Sequence, residues 1–195
     1  MAIGKALAPL IAAGLSCLAA LPSVAGDVHI GPVTAYVEAN VQPWMSDPRI
    51  VEELKRQNRL NAHLSPADIN RLDAAWRAER SGTVQSLIDT VAKSPLSLFL
   101  KQKQAASNGV ITEIMIIDAK GLSIAQSEIG SDYWQGDEPK WQKTYLAGNS
   151  DLFVDRAERD ESTQMLQSQA SMAITDGQTG KPLGTIMVGI NLGAL

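Results

Sequence analysis

Residues 112–141 read TEIMIIDAKGLSIAQSEIGSDYWQGDEPKW, and the reading of this stretch decides the fold. It opens on a strand over 112–118, apolar without a break from 114 to 117. A run with no polar interruption belongs to a strand covered on both faces. Asp118-Ala119-Lys120-Gly121 is a tight turn, with Gly121 free to take the positive φ that a short hairpin needs. Residues 122–127 return as a second strand, Ile124 alternating with Ser123 and Ala125. The next segment is unusual: between Asp132 and Trp141 stand three large aromatics and four charges, more than a plain connection requires.

Aromatic rings make rigid apolar walls with few rotors to freeze, and a few polar groups then set a ligand's orientation. Tyr133, Trp134 and Trp141 therefore stand as walls of a small cavity over the sheet, with Gln135 among them. Lys140 can receive a carboxylate and Asp137 an amine. The competing expectation is a satellite core that pins a short helix to the sheet. The two tryptophans are expected to differ: Trp134, just before Gly136, as a solvent-facing ring on a closing loop, and Trp141 as core.

The hairpin followed by DYWQGDE-x-KW resembles the extracytoplasmic PAS-like sensor domains called Cache domains, over roughly residues 69–192. The resemblance implies an α+β fold, with N-terminal helices packed on one face of a five-stranded antiparallel sheet. It implies a pocket covered by the segment at 133–141 and floored by the third and fourth strands, which adds Arg156, Gln167 and Gln169 as ligand-binding candidates. The run of tyrosine, arginine and Trp-Tyr by which some double Cache domains hold amino acids is missing, so that ligand is not carried over.

Working outward, residues 1–25 have the form of a secretory signal: Lys5, an alanine- and leucine-rich run over 6–21, then Ser23 and Ala25 at the positions a signal peptidase reads. Cleavage is expected after Ala25, with a retained anchor as the alternative. Cys17, the one cysteine, would leave with the signal, so the mature chain would rely on its core alone. About 170 residues suffice for one core. Without Lys5 the chain carries 16 basic against 21 acidic side chains, net −5, which argues against nucleic acid or an anionic membrane as partner. No second apolar run of membrane length follows.

Residues 26–65 form a helical lead-in and 66–195 the sensor-like domain. Residues 31–42 suggest a short helix. Ser46-Asp47-Pro48, Ser65-Pro66-Ala67-Asp68 and Ser94-Pro95 are helix starts, the second a capping-box pair. Trp76 continues an apolar stripe with Ile69 and Leu72 and reads as core; Val84, Leu87, Ile88 and Val91 repeat the helical spacing. Asn108-Gly109 is a left-handed helix stop. A short helix over 141–146 and a third strand over 152–157 follow. After a turn at 160–162 comes a fourth strand over 163–175, with Leu166, Ala170, Met172 and Ile174 toward the helices and Met165, Gln167, Gln169, Ser171 and Ala173 on the opposite, uncharged face. The loop 176–182 leads to a fifth strand over 185–191, in which Gly189 allows close approach.

His29 and His63 are isolated and read as solvated, with no metal site and no cofactor. No nucleophile elbow, P-loop, zinc motif or dinucleotide fingerprint is present, and adjacent carboxylates such as Asp137 and Glu138 do not make an acid–base pair. The expected function is a periplasmic small-molecule sensor, not an enzyme. It would signal through a separate partner, a membrane sensor kinase, cyclase or chemoreceptor. A structural or interaction module with a degenerate pocket is the alternative, and an uncharacterised hydrolase the third reading.

Overall fold

The computed structural model describes residues 28–148, 151–159 and 164–195. The proposed signal and the turn at 160–162 lie outside them.

Local sequence signals start the helices. Helix α1 (Ile30–Asn40) buries Val33 and Val37 and runs into a 3₁₀ turn, Gln42–Ser46. Helix α2 (Pro48–Asn61) begins where Asp47 accepts a hydrogen bond from the Arg49 N–H. Helix α3 (Pro66–Ser81) has the full capping box between Ser65 and Asp68. Helix α4 (Ser86–Ala92) starts later than the apolar spacing suggests. The Glu79 carboxylate, projecting from the end of α3, accepts the Leu87 and Ile88 N–H groups at 2.8 and 2.9 Å and fixes the first turn there. Val84 is left in the loop, 70% exposed. In α5 (Pro95–Ala105) Ser94 caps the Ser97 N–H, and the chain then turns through positive φ at Asn108 and Gly109.

The sheet is antiparallel, with strands β1 (Ile111–Asp118), β2 (Ser123–Gln126), β3 (Phe153–Val154), β4 (Glu158–Arg159), β5 (Leu166–Thr175) and β6 (Pro182–Asn191). Their order is β2-β1-β6-β5-β3, and β4 also pairs with β5. Among the described residues six strands replace the expected five because the third divides: Phe153–Val154 pairs opposite Ala170 and Ser171, and Glu158–Arg159 pairs opposite Leu166 and Gln167.

Side-chain alternation sorts the strands into two faces. Ile114, Ile116, Ala170, Met172, Ile174, Ile186 and Val188 turn toward α1, α2 and α5 and form the main core with Val33, Leu54 and Leu100. Met115, Ile117 and Met187 point the other way and pack with Trp141. Strand β1 is thus covered on both faces, as its unbroken apolar run implies.

Between β2 and the short helix α6 (Pro139–Trp141) the chain wraps the edge of the sheet. Ser123 N–H donates to the Tyr133 carbonyl at 2.9 Å and Gln135 N–H to the Gly121 carbonyl at 2.7 Å, so residues 133–135 add a short rung beside β2. Tyr133 consequently falls on the helix side, stacked on Trp76 with ring centroids 5.3 Å apart. After α6 the chain continues as one π-helical turn, Gln142–Leu146, over the opposite face. That face, away from α1, α2 and α5, is the open face of the sheet.

Candidate functional site

The turn between β1 and β2 anchors everything that covers the open face. Asp118 is fully buried, and its carboxylate accepts the Lys120 and Leu122 N–H groups at 2.8 and 2.9 Å and the Asn61 side-chain amide at 2.7 Å. Burial pushes the Asp118 carboxyl above its ordinary range, against the pull of these donors. Its backbone carbonyl accepts the Trp141 indole N–H at 3.0 Å. Burial, helped by the Asp118 charge, raises the Tyr133 and Tyr145 phenols.

Gly121 sits at φ 80, as the hairpin requires, and a Cβ there would lie 2.7 Å from the Gly136 Cα. The Trp134 indole fills the slot beside these two glycines and donates to the Lys120 carbonyl at 3.0 Å. Trp134 is therefore half-buried and anchored, not the solvent-facing ring expected, because a ring beside two side-chain-free residues has somewhere to pack. Trp141 is core, as expected.

Helix α3 holds the start of the covering segment from the other side. The Asp73 carboxylate accepts the Tyr133 and Trp134 N–H groups at 2.9 and 3.0 Å and pairs with Arg77 at 2.6 Å. The Trp76 indole donates to the Gly130 carbonyl at 3.1 Å. Asp73, Trp76 and Arg77 share one helical face, a signal readable from their i, i+3, i+4 spacing that the sequence reading assigned only for Trp76.

Four of the nine candidate residues meet on one cleft. Lys140, Arg156, Gln167 and Gln169 line a space of 430 Å³ on the open face, with Glu138, Pro139, Asp155 and Glu158. The Lys140 ammonium donates to the Gln135 side-chain oxygen at 3.1 Å. Arg156 pairs with Glu158, and the Asp155 carbonyl is held by Ser168 Oγ at 2.7 Å and His29 Nε2 at 2.9 Å. His29 is thus a tether for the cleft wall where a solvated ring was expected. Gln135 is buried and supports Lys140 from beneath; Asp137 is exposed, and Tyr133, Trp134, Asp137 and Trp141 do not line this cleft.

Beside this cleft the open face also holds Thr112, which strict alternation hides, and Glu113. A bulge near Ile111 and Glu113 in β1 brings Thr112 and Glu113 to the open face together. Opposite them on β6 is Gly189, where a Cβ would lie 2.3 Å from Thr112 Oγ1. Across this gap Thr112 Oγ1 donates to Gln167 Oε1 at 2.9 Å and Gln169 Nε2 donates to Glu113 Oε1 at 3.1 Å. Ser171, two residues beyond Gln169 on the same face, has a buried hydroxyl with no hydrogen-bond partner. A buried polar atom left unpaired is costly. No group of three or more metal-ligating side chains occurs among the described residues.

No family model and no curated protein matches the sequence. Solved structures do. The sensor domain of the V. cholerae histidine kinase DctB superposes with a TM-score of 0.50 at 14% identity, over 85% of this chain and 51% of that one. The ligand-binding domain of the Campylobacter jejuni chemoreceptor Tlp3, solved with 4-methylisoleucine, gives 0.39 at 16% identity over 82% and 62%. That of the Pseudomonas fluorescens chemoreceptor CtaA, solved with L-serine, gives 0.38 at 14% over 86% and 60%. The chain spans about half the length of the DctB sensor domain. Its fold is that of a Cache-type sensor domain, α+β with helices on one face of an antiparallel sheet.

Proposed function

We propose that this protein is an exported sensor domain that binds a small polar molecule on the open face of its sheet and signals through a separate membrane partner. A sensor kinase, a cyclase or a chemoreceptor is the kind of partner meant. Binding, not turnover, is the activity assigned. The observation that carries the reading is the convergence of Lys140, Gln167 and Gln169 on one cleft. A lysine on the rim sets the ligand's charge and two amides fix its orientation, the division of labour expected of small-molecule sites. That chemistry describes the ligand: it carries a carboxylate, an amine or both. The likeness of fold to kinase and chemoreceptor sensor domains supports the signalling role. No helix among the described residues is long and apolar enough to cross a membrane. The secretory pattern at 1–25 supports a periplasmic location, with a mature chain starting at Gly26. N-terminal sequencing of the exported protein checks this.

Thermal melts of the mature chain against a metabolite panel test the binding role. Stabilisation grows as RT ln(1 + [L]/Kd), about 2.7 kcal/mol at a hundredfold excess over Kd. Lys140→Ala should remove most of the shift given by a carboxylate. A panel that moves neither the wild type nor the variant would leave the second reading, an interaction module with a degenerate pocket. That reading draws on Tyr133, Trp134 and Trp141 all being engaged in packing.

A further inference from the structure

The β1–β2 turn is gripped from two directions. Within it the Gly121 N–H donates to the Asp118 carbonyl at 3.0 Å and the Asp118 N–H to the Leu122 carbonyl at 2.9 Å. With the carboxylate bonds to the Lys120 and Leu122 N–H groups, these make the turn one braced unit. The cover holds it through the Trp134 and Trp141 indoles and through the Gln135 N–H, which donates to the Gly121 carbonyl. Helix α2 holds it from the other side. Asn58 Oδ1 accepts the Ala119 N–H at 2.9 Å while its Nδ2 donates to the Leu183 carbonyl at 2.7 Å, and Asn61 Nδ2 donates to the Asp118 carboxylate. The Lys120 ammonium adds a bond to the Leu64 carbonyl, just past the helix, at 3.3 Å. Asparagine is among the weaker helix formers, and both asparagines in this last turn of α2 spend their amides on the sheet.

The same unit is linked to the cleft and to the outer surface. Lys140 bonds the Gln135 side chain, and Gln135 is the residue that Gly121 holds. Arg59 and Leu60, between the two asparagines, are exposed, so a displacement of α2 alters the outside of the molecule. We propose that the β1–β2 turn is a joint that couples the cover to the C-terminal turn of α2, so that a change at Lys140 is felt at Arg59 and Leu60. A close-packed, braced element passes a displacement on and does not absorb it, and bonds to both sites are what let it bias both. The use of the joint in signalling rests on the sensor reading; the coupling itself does not.

Hydrogen exchange of the indole N–H groups, followed by NMR on the mature chain with no ligand added, tests the joint. The Trp76 indole is the internal control, because it ties the cover to α3 by a separate bond to the Gly130 carbonyl. Asn61→Ala should speed exchange at Trp134 and Trp141 by about fivefold or more relative to Trp76. Asn58→Ala carries the same expectation and is the variant to use if Asn61→Ala does not fold. From the cleft end, Lys140→Met should speed amide exchange at residues 58–61 by about threefold or more relative to residues 99–102 of α5. Equal acceleration of all three indoles, as a general loss of stability would give, refutes the joint, and so does an unchanged rate at Trp134 and Trp141. Equal exchange in α2 and α5 after Lys140→Met refutes the link to the cleft. Failure of the metabolite panel bears on the sensor reading alone, and failure of the exchange tests on the joint alone.

Discussion

Gly121 and Gly180 both adopt positive φ, 80 and 69, yet they differ in what surrounds them. Nothing lies within 4 Å of a Cβ built at Gly180, whereas one built at Gly121 meets the Gly136 backbone at 2.7 and 2.8 Å and the Trp134 indole nitrogen at 3.0 Å. Alanine in the left-handed region costs roughly 1–2 kcal/mol, and the stiffer unfolded chain returns about 0.4–1 kcal/mol. Both terms are common to the two sites, so Gly180→Ala should cost between about 0 and 1.6 kcal/mol. At Gly121 the methyl must also push backbone, which cannot rotate out of the way as a side chain can. Overpacking of this kind costs about 1–3 kcal/mol, and that is the expected difference between the variants. For a chain of this size it corresponds to melting temperatures about 2–12 °C apart. Urea unfolding of the two variants, compared at equal m-value, measures it. Equal destabilisation, within ~0.5 kcal/mol, would mean that residues 134–136 are not seated on the turn, and the account of how the cover is anchored would fail.

Three further outcomes are expected. Asp73→Ala strands the Tyr133 and Trp134 N–H groups and should cost about 2–4 kcal/mol in denaturant unfolding. Trp141→Ala should cost about 3–5 kcal/mol, and the half-buried Trp134→Ala about 1–3 kcal/mol, so unfolding curves of the pair should rank Trp141 first. Burial raises the Asp118 carboxyl above its unfolded value, so its contribution to stability is greatest below the ordinary carboxylate range and is lost as pH rises through the folded value. The stability of wild type relative to Asp118→Asn should therefore fall between acidic and neutral pH, as urea midpoints across that range would record.

What the sequence discloses here is what local chemistry dictates. Ser65 with Asp68, Asp47 before Pro48 and Gly121 in its turn act over a few residues, and each sits where its pattern places it. Alternation likewise put Gln167 and Gln169 on the face opposite Met172 and Ile174. The failures are all cases where distant residues decide. Glu79 reaches to the next helix and moves its start past Val84. The bulge in β1 breaks the period of two, hiding Thr112. Two-residue strands such as Phe153–Val154 and Glu158–Arg159 are too short to carry any period. Tyr133 and Trp134 read as cavity walls because nothing in their neighbourhood announces that the chain crosses the sheet edge there. Four of the six polar candidates thus gathered on a cleft, while the aromatic ones went to hold its cover in place.

The rung formed by residues 133–135 has a consequence for how other proteins can approach. An open edge strand offers unpaired N–H and C=O groups to any passing strand. Here the Gly121 carbonyl and the Ser123 N–H on the β2 side are already taken. The far edge is divided between β3 and β4, two residues each, with Arg156, Glu158 and Arg159 placed along it. Among the described residues neither side offers a long, flat stretch of backbone for strand addition, the mode that relies on main-chain pairing. A protein that docks on this chain must recognise side chains, on the helices or around the cleft, and its specificity is then written in residues that substitution can reach.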